Sequence, residues 1–214
     1  MNDINESLEK RIVFATNNEG KMHEIRLILG DLGIPVFSMK EVGIDLDVVE
    51  DGKTFEANAL LKAEALTKLL PDDIILADDS GLEIDALDKA PGVETANFAG
   101  RDTPYEVKNQ ILIDELAGVE DSKRTARFRC VIAGIFPDGE VKITHDTIEG
   151  MISHQIMGDK GFGYDPIFYL PEYGCTTGQM PLELKNKLSH RGKALEKMKE
   201  IIRSKFEGKH QEQI

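Results

Sequence analysis

The chain has 214 residues, 41% hydrophobic and 30% charged, a balance that excludes a disordered or fibrous protein and allows one domain or two joined lobes. Lys and Arg number 26 against 39 Asp and Glu, a formal charge of −13, which argues against nucleic acid or an anionic membrane surface as partner. Two cysteines, Cys130 and Cys175, are too few for a disulfide scaffold or a structural zinc site, and no apolar run suits a secretory signal or a membrane span, so a cytoplasmic protein is expected.

Arg11 to Thr16 is a short β-branched and aromatic run that reads as a strand, and it stops at the turn-forming Asn17-Asn18-Glu19-Gly20. From Lys21 the apolar residues Met22, Ile25, Leu27, Ile28, Leu29 and Leu32 recur at roughly helical spacing until Gly33 and Pro35. Pro35 to Met39 reads as a second strand and residues 45–51 as an acidic loop. Thr54 opens a helix that Pro71 closes. Ile74 to Ala77 fits a short buried strand ending at Asp78-Asp79-Ser80-Gly81. Thr103-Pro104 starts a helix reaching Ala117. Thr125 to Phe136 and Val141 to Ile148 form a hairpin about Pro137-Asp138-Gly139. Glycines crowd a loop at 158, 161 and 163, and a last helix runs from Ser189 towards Phe206, leaving 207–214 as a frayed tail. Strands and helices mix without strict alternation, which predicts an α/β fold with a mixed sheet over residues 1–206.

An acidic chain can bind an anion only through a local cluster of cations and backbone N–H groups, helped by a divalent ion. Thr16, Asn17, Asn18, Glu19, Gly20 and Lys21 lie between a strand and a helix, where free N–H groups, the helix dipole and Lys21 suit a phosphate. An ordinary Asn-capped turn is the other reading, and a Walker A loop is excluded because Ala15 stands where Gly is required. Glu50 and Asp51 offer oxygen ligands to magnesium, or form a solvated acidic loop. Asp78 and Asp79 place two carboxylates after a buried strand, where they serve a metal or simply make an Asp turn. Phe162, Gly163, Tyr164 and Asp165 set an aromatic ring and close-approaching backbone where a flat base could lie, or simply make a structural turn. His190 and Arg191 follow Ser189 at a helix start and can both donate to a base or phosphate edge, or Ser189 is a plain helix cap with no further role.

In this order the motifs resemble the inosine triphosphate pyrophosphatase, or Ham1-like, family. The resemblance runs from about Arg11 to about Ile202 and rests on Thr16-Asn17 with Lys21, Glu50-Asp51-Gly52-Lys53-Thr54-Phe55, Ala77 to Leu82, Ala90-Pro91-Gly92-Val93, Phe162 to Pro166, and Leu188 to Arg191. It implies an elongated, two-lobed α/β fold with a central cleft, a homodimer, and magnesium-dependent hydrolysis of the deaminated purine triphosphates ITP, dITP and XTP to monophosphate and pyrophosphate. It also implies that Thr16 to Lys21 hold the triphosphate and that Asp79 is general base and metal ligand. Ser80 would contact substrate, Phe162 to Asp165 line the base pocket, and Lys185, His190 and Arg191 touch base or phosphate. Members usually carry two consecutive Glu residues where this chain has Val49 and Glu50, so either Glu50 binds the metal or a ligand is lost. Asn97 stands where Arg is usual. A phosphatase removing the γ-phosphate and a non-catalytic nucleotide sensor are the rival functions.

Overall fold

A computed structural model describes residues 10–207. The expected signal-free N-terminus and frayed tail therefore fall outside the described residues, apart from Lys10 and from Glu207, which closes the last helix. The seven strands are β1 (Ile12–Phe14), β2 (Val36–Ser38), β3 (Ile74–Ile84), β4 (Thr125–Ile135), β5 (Val141–Ile152), β6 (Phe168–Leu170) and β7 (Cys175–Thr176). They form one sheet in the order β2-β1-β3-β4-β5-β6-β7. β1 runs parallel to β2 and β3, and every other pairing is antiparallel, so the sheet is mixed as expected.

Five α-helices cover it: α1 (Glu19–Leu29), α2 (Phe55–Thr67), α3 (Tyr105–Glu115), α4 (Leu182–Leu188) and α5 (His190–Glu207). α1 starts two residues before the expected Lys21 because Asn18 caps it, its side chain accepting from the Lys21 N–H. Thr54 caps α2 in the same way. The buried side of α2 is Phe55, Asn58, Ala59, Ala63 and Leu66, with Ala59 and Ala63 small enough to let the helix lie close on the sheet. In α3 the buried face is Lys108, Leu112 and Leu116 with Asn109 and Ile113, while Val107 is exposed. Two short strands, β6 and β7, and the helix α4 were not legible in the sequence pattern, being too short to show a period.

β3 does not stop at Ala77. It continues through Asp78-Asp79-Ser80-Gly81 to Ile84, paired with β4 from Ile75↔Ile135 to Ile84↔Ala126. The two carboxylates thus lie mid-strand, not at a strand end. Polar residues continue the strand here because they mark a division in the core. On one side of them, Ile12, Phe14, Leu76 and Ile132 pack with α1 and α5 on one face, and Val13, Ile75 and Ala133 with α2 on the other. On the other side, Leu82, Ile84, Ala126, Ile148 and Ile152 pack with α3 and Phe168. β3 and β4 run unbroken through this waist between the two lobes.

Candidate active site at the waist

Successive residues of a strand face opposite sides of the sheet, so Asp78 and Asp79 separate. Asp78 faces α1 and α5, where its Oδ1 accepts from Lys21 Nζ at 3.0 Å and its Oδ2 from Arg191 Nε at 3.3 Å. Burial would raise this carboxyl, yet Lys21 and Arg191 hold it well below the usual carboxylate range. From Asp78 an alternating chain of charges continues. Arg191 NH1 donates to Glu24 Oε2 at 2.7 Å, Lys185 Nζ donates to Glu24 Oε1 at 2.9 Å, and the same ammonium donates to Asp165 Oδ2 at 2.7 Å. Glu24 stays ionised because Arg191 and Lys185 outweigh its burial. The two expected carboxylates are therefore not a pair on one ion, and Asp78 anchors the cations.

Asp79 faces α2. Its Oδ2 accepts from Asn58 Nδ2 at 3.1 Å, its Oδ1 from its neighbour's backbone N–H at 3.0 Å, and Lys62 Nζ lies 3.8 Å away. Here burial wins over Lys62 and Asn58, with Glu50 and Asp78 adding repulsion, and the carboxyl is pushed up to about 6. Lys62 also binds Glu50 Oε2 at 2.7 Å. Val49 is 79% exposed, so of the two positions it is Glu50 that reaches the site. Among the described residues no third metal-ligating side chain joins them in a cluster.

A cleft of about 440 Å³ opens between the lobes, lined by Asn18, Lys21, Glu50, Ser80, Thr95, Arg101, Phe162, Gly163, Tyr164, Asp165, Lys185, His190 and Arg191 among others. Of the turn residues, Asn18 and Lys21 face it. Asn17 and Glu19 line a separate groove beside Ser38 and Lys40, and Asn17 Oδ1 accepts from the Lys40 N–H. Thr16 closes the turn, its Oγ1 accepting from the Asn18 N–H. Gly20 brings the first turn of α1 against Phe162, whose ring would lie 3.6 Å from a Cβ placed there.

The glycine loop is built on Asp165, whose Oδ2 also accepts from the Phe162 N–H at 2.8 Å and whose Oδ1 accepts from Thr177 Oγ1 at 2.8 Å. Gly161 has φ 76°, and a Cβ there would meet Asp165 Oδ2 at 2.2 Å, so only glycine allows the loop to close on that carboxylate. The Phe162 ring that results carries Lys185 Nζ 4.8 Å and the Arg191 guanidinium 5.3 Å from its centroid. Tyr164 turns its hydroxyl to Thr95 O at 2.8 Å and meets Tyr105 edge-on. His190 stacks on Phe128 at 4.9 Å. Burial, then Arg191 and Lys185, push its imidazole well below its usual range, so it is neutral, and its Nδ1 is buried without a hydrogen-bond partner. Ser189 caps α5, its Oγ accepting from the Gly192 N–H.

A family model, the Ham1 family, matches residues 12–201. The chain belongs to the Ham1 family. Among its curated Ham1-type relatives, the dITP/XTP pyrophosphatase of Clostridium perfringens is 43% identical over 199 residues, covering 91% of this chain and 98% of the relative. That of Desulforamulus reducens is 46% identical, covering 90% and 95%. The Staphylococcus aureus Ham1 protein superposes with a TM-score of 0.79 at 40% identity, covering 94% of this chain and all of that one. A HAM1 protein from Coxiella burnetii gives 0.82 at 38%, covering 90% and 98%. The mixed α/β sheet is thus the Ham1 fold.

Sequence reasoning missed five residues of this candidate site. Glu24 looked like one more polar residue of an amphipathic helix. Asn58 and Lys62 are one turn apart on α2 and face Asp79, a spacing that fits any surface helix. Lys108 and Asn109 on α3 brace both walls of the cleft, through Lys108 Nζ to Ala96 O at 2.7 Å and Asn109 Nδ2 to Gly163 O at 3.2 Å. A buried lysine within an otherwise apolar helical face was the available signal.

Proposed function

We propose that the chain hydrolyses deaminated purine nucleoside triphosphates, ITP, dITP and XTP, to the monophosphate and pyrophosphate, and so clears them from the nucleotide precursor pool. The observation that carries the reading is the cleft itself. It joins a phosphate-sized end, with Lys21 on the first turn of a capped helix, to a flat aromatic wall at Phe162, and a buried carboxylate of raised pKa lies beside it. Lys21 and the free N–H groups of α1 would hold the phosphate tail. Phe162 would stack on the purine. Asp79, ionised above about pH 6, is a far better proton acceptor at neutral pH than an ordinary carboxylate and would orient and deprotonate the water that attacks the α-phosphorus.

Magnesium is the cofactor we infer. Glu50 and Asp79 converge on Lys62 Nζ, a point where a cation is already favoured, and two hard carboxylates suit an ion that keeps several waters and takes phosphate oxygens. When bound, it would neutralise charge on the leaving pyrophosphate. The homodimer rests on the family resemblance of the motifs, and sedimentation velocity reads it directly. The cytoplasmic location is supported by two free cysteines and, among the described residues, by the lack of any helix long and apolar enough to cross a membrane.

The base pocket reads oxygen. Arg191 donates but cannot accept, and hypoxanthine and xanthine present an acceptor at C6 where adenine presents an amino donor. An adenine in this pocket faces donor with donor, a loss of roughly ten- to a hundredfold in kcat/KM. Incubating the protein with ITP, XTP, GTP and ATP at fixed magnesium is expected to give pyrophosphate, with ITP and XTP well above GTP and ATP lowest. Orthophosphate and IDP as products would mean γ-phosphate removal, and no turnover would mean a binding protein.

A further inference from the structure

The charges around the cleft are balanced before any substrate enters. Lys21, Lys185 and Arg191 each hold a carboxylate within 3.3 Å, and in the chain from Asp165 to Lys21 cations and carboxylates are equal in number. Lys62 faces two carboxylates, Glu50 and Asp79. A triphosphate tail therefore shares Lys21 with Asp78, and a cation with no firm partner would add to what Lys21 and the N–H groups of α1 supply.

Arg101 lines the same cleft and is differently held. Its guanidinium lies 3.8 Å from Asp47 Oδ1, with the two side chains 75% and 86% exposed. An exposed pair at that separation is weak and screened, so this guanidinium can exchange Asp47 for a better partner at little cost. Its backbone is nonetheless fixed. The chain turns through Ala99 at φ 54° and Gly100 at φ 101° immediately before it, and Thr103 Oγ1 locks the turn by donating to Ala99 O at 2.7 Å. A non-glycine residue in the left-handed region is a strained choice that packing must maintain. Four residues earlier, Asn97 has no guanidinium to offer and turns its Nδ2 to Glu94 Oε2 at 3.4 Å.

We propose that Arg101 is a substrate-binding residue for the polyphosphate tail, leaving Asp47 on substrate entry and clamping phosphate oxygens from the loop after Ala96 while Lys21 holds them from α1. The inference rests on the triphosphate reading above. A guanidinium suits the task because its rigid planar fork presents two parallel donors to two phosphate oxygens, a fixed geometry that an ammonium lacks.

The test separates the tail from the nucleoside and uses no metal. Binding of inorganic tripolyphosphate and of IMP is measured by calorimetry in magnesium-free buffer for the wild type, Arg101→Ala, Arg101→Lys and Asp47→Asn. Arg101→Ala is expected to weaken tripolyphosphate binding by about tenfold or more, Arg101→Lys to recover only part of it, and Asp47→Asn to tighten it. IMP binding and the melting curve should hold within about twofold. An Arg101→Ala protein that binds tripolyphosphate like the wild type, or loses IMP and tripolyphosphate equally, overturns the proposal. A wild type that binds neither and leaves ITP uncleaved overturns the triphosphate reading first and this inference with it, whereas a wild type that cleaves ITP beside an unaffected variant overturns Arg101 alone.

Discussion

Asp79 is held at a cost to the fold, and the cost has a sign. Its folded carboxyl titrates near 6 against an ordinary 3.8, so the favourable contribution of its protonated form is complete below about pH 4 and is lost as pH rises through 6. Above that the metal-free protein carries an ionised, largely buried carboxylate. Asp79→Asn should therefore raise stability in metal-free buffer at pH 8 by about 2–3 kcal/mol, and the gain should shrink towards zero near pH 4. The same substitution should lower kcat by about a hundredfold or more, the scale of a lost general base. Thermal melts at the two pH values and steady-state rates check both. A variant that melts like the wild type at pH 8, or turns over within about fivefold of it, removes Asp79 from the role. At this scale the sequence showed Asp79, Lys21 and Glu50 through local motifs. It could not show that Asp78 belongs to the cations, because Lys21 and Arg191 stand 57 and 113 residues away from it.

The element that places these groups is β3, and at its Gly81 three segments are closely packed. A Cβ at Gly81 would lie 2.4 Å from Gly92 O and 2.6 Å from the Phe55 ring, so β3, the segment after cis-linked Pro91 and the first turn of α2 meet there with no spare space. Gly81→Ala should destabilise the protein by roughly 1–3 kcal/mol through overpacking and push apart the walls that carry Thr95 and Glu50, raising KM for the triphosphate. Urea unfolding and kinetics on one preparation test the pair of effects, and a stable variant with unchanged KM would show that the neighbours yield freely. The length of β3 was hidden for a reason of the same kind. A polar Asp-Asp-Ser-Gly run reads as a turn because those residues favour turns, and only the neighbouring strand β4, residue for residue from Ile135 to Ala126, holds it extended. The periodic helices α2 and α5 were legible because their pattern is local.

Across the whole molecule the electrostatics reconcile an acidic chain with the anionic substrate proposed for it. The chain carries a net charge of −13, yet Lys21, Lys62, Lys185 and Arg191 are gathered from four helices to one waist. Such local gathering cannot be read from composition; the motifs pointed to Lys21 and Arg191, the family resemblance added Lys185, and Lys62 was not foreseen.

That waist has a mechanical consequence. β3, β4 and β5 are 11, 11 and 12 residues long, and they carry the division between the two cores within their own length, with no linker between lobes. The lobes can approach one another only as the sheet twists, a stiff coordinate with no loose joint. Neither lobe can melt without stripping ladder hydrogen bonds from strands that the other still holds. Calorimetry should accordingly find one heat-absorption peak whose van't Hoff and calorimetric enthalpies agree, and a ligand in the cleft should move that entire peak upward. Two resolved peaks would mean that the shared strands do not couple the halves. On this reading, hold on the proposed nucleotide and endurance of the fold would rise together.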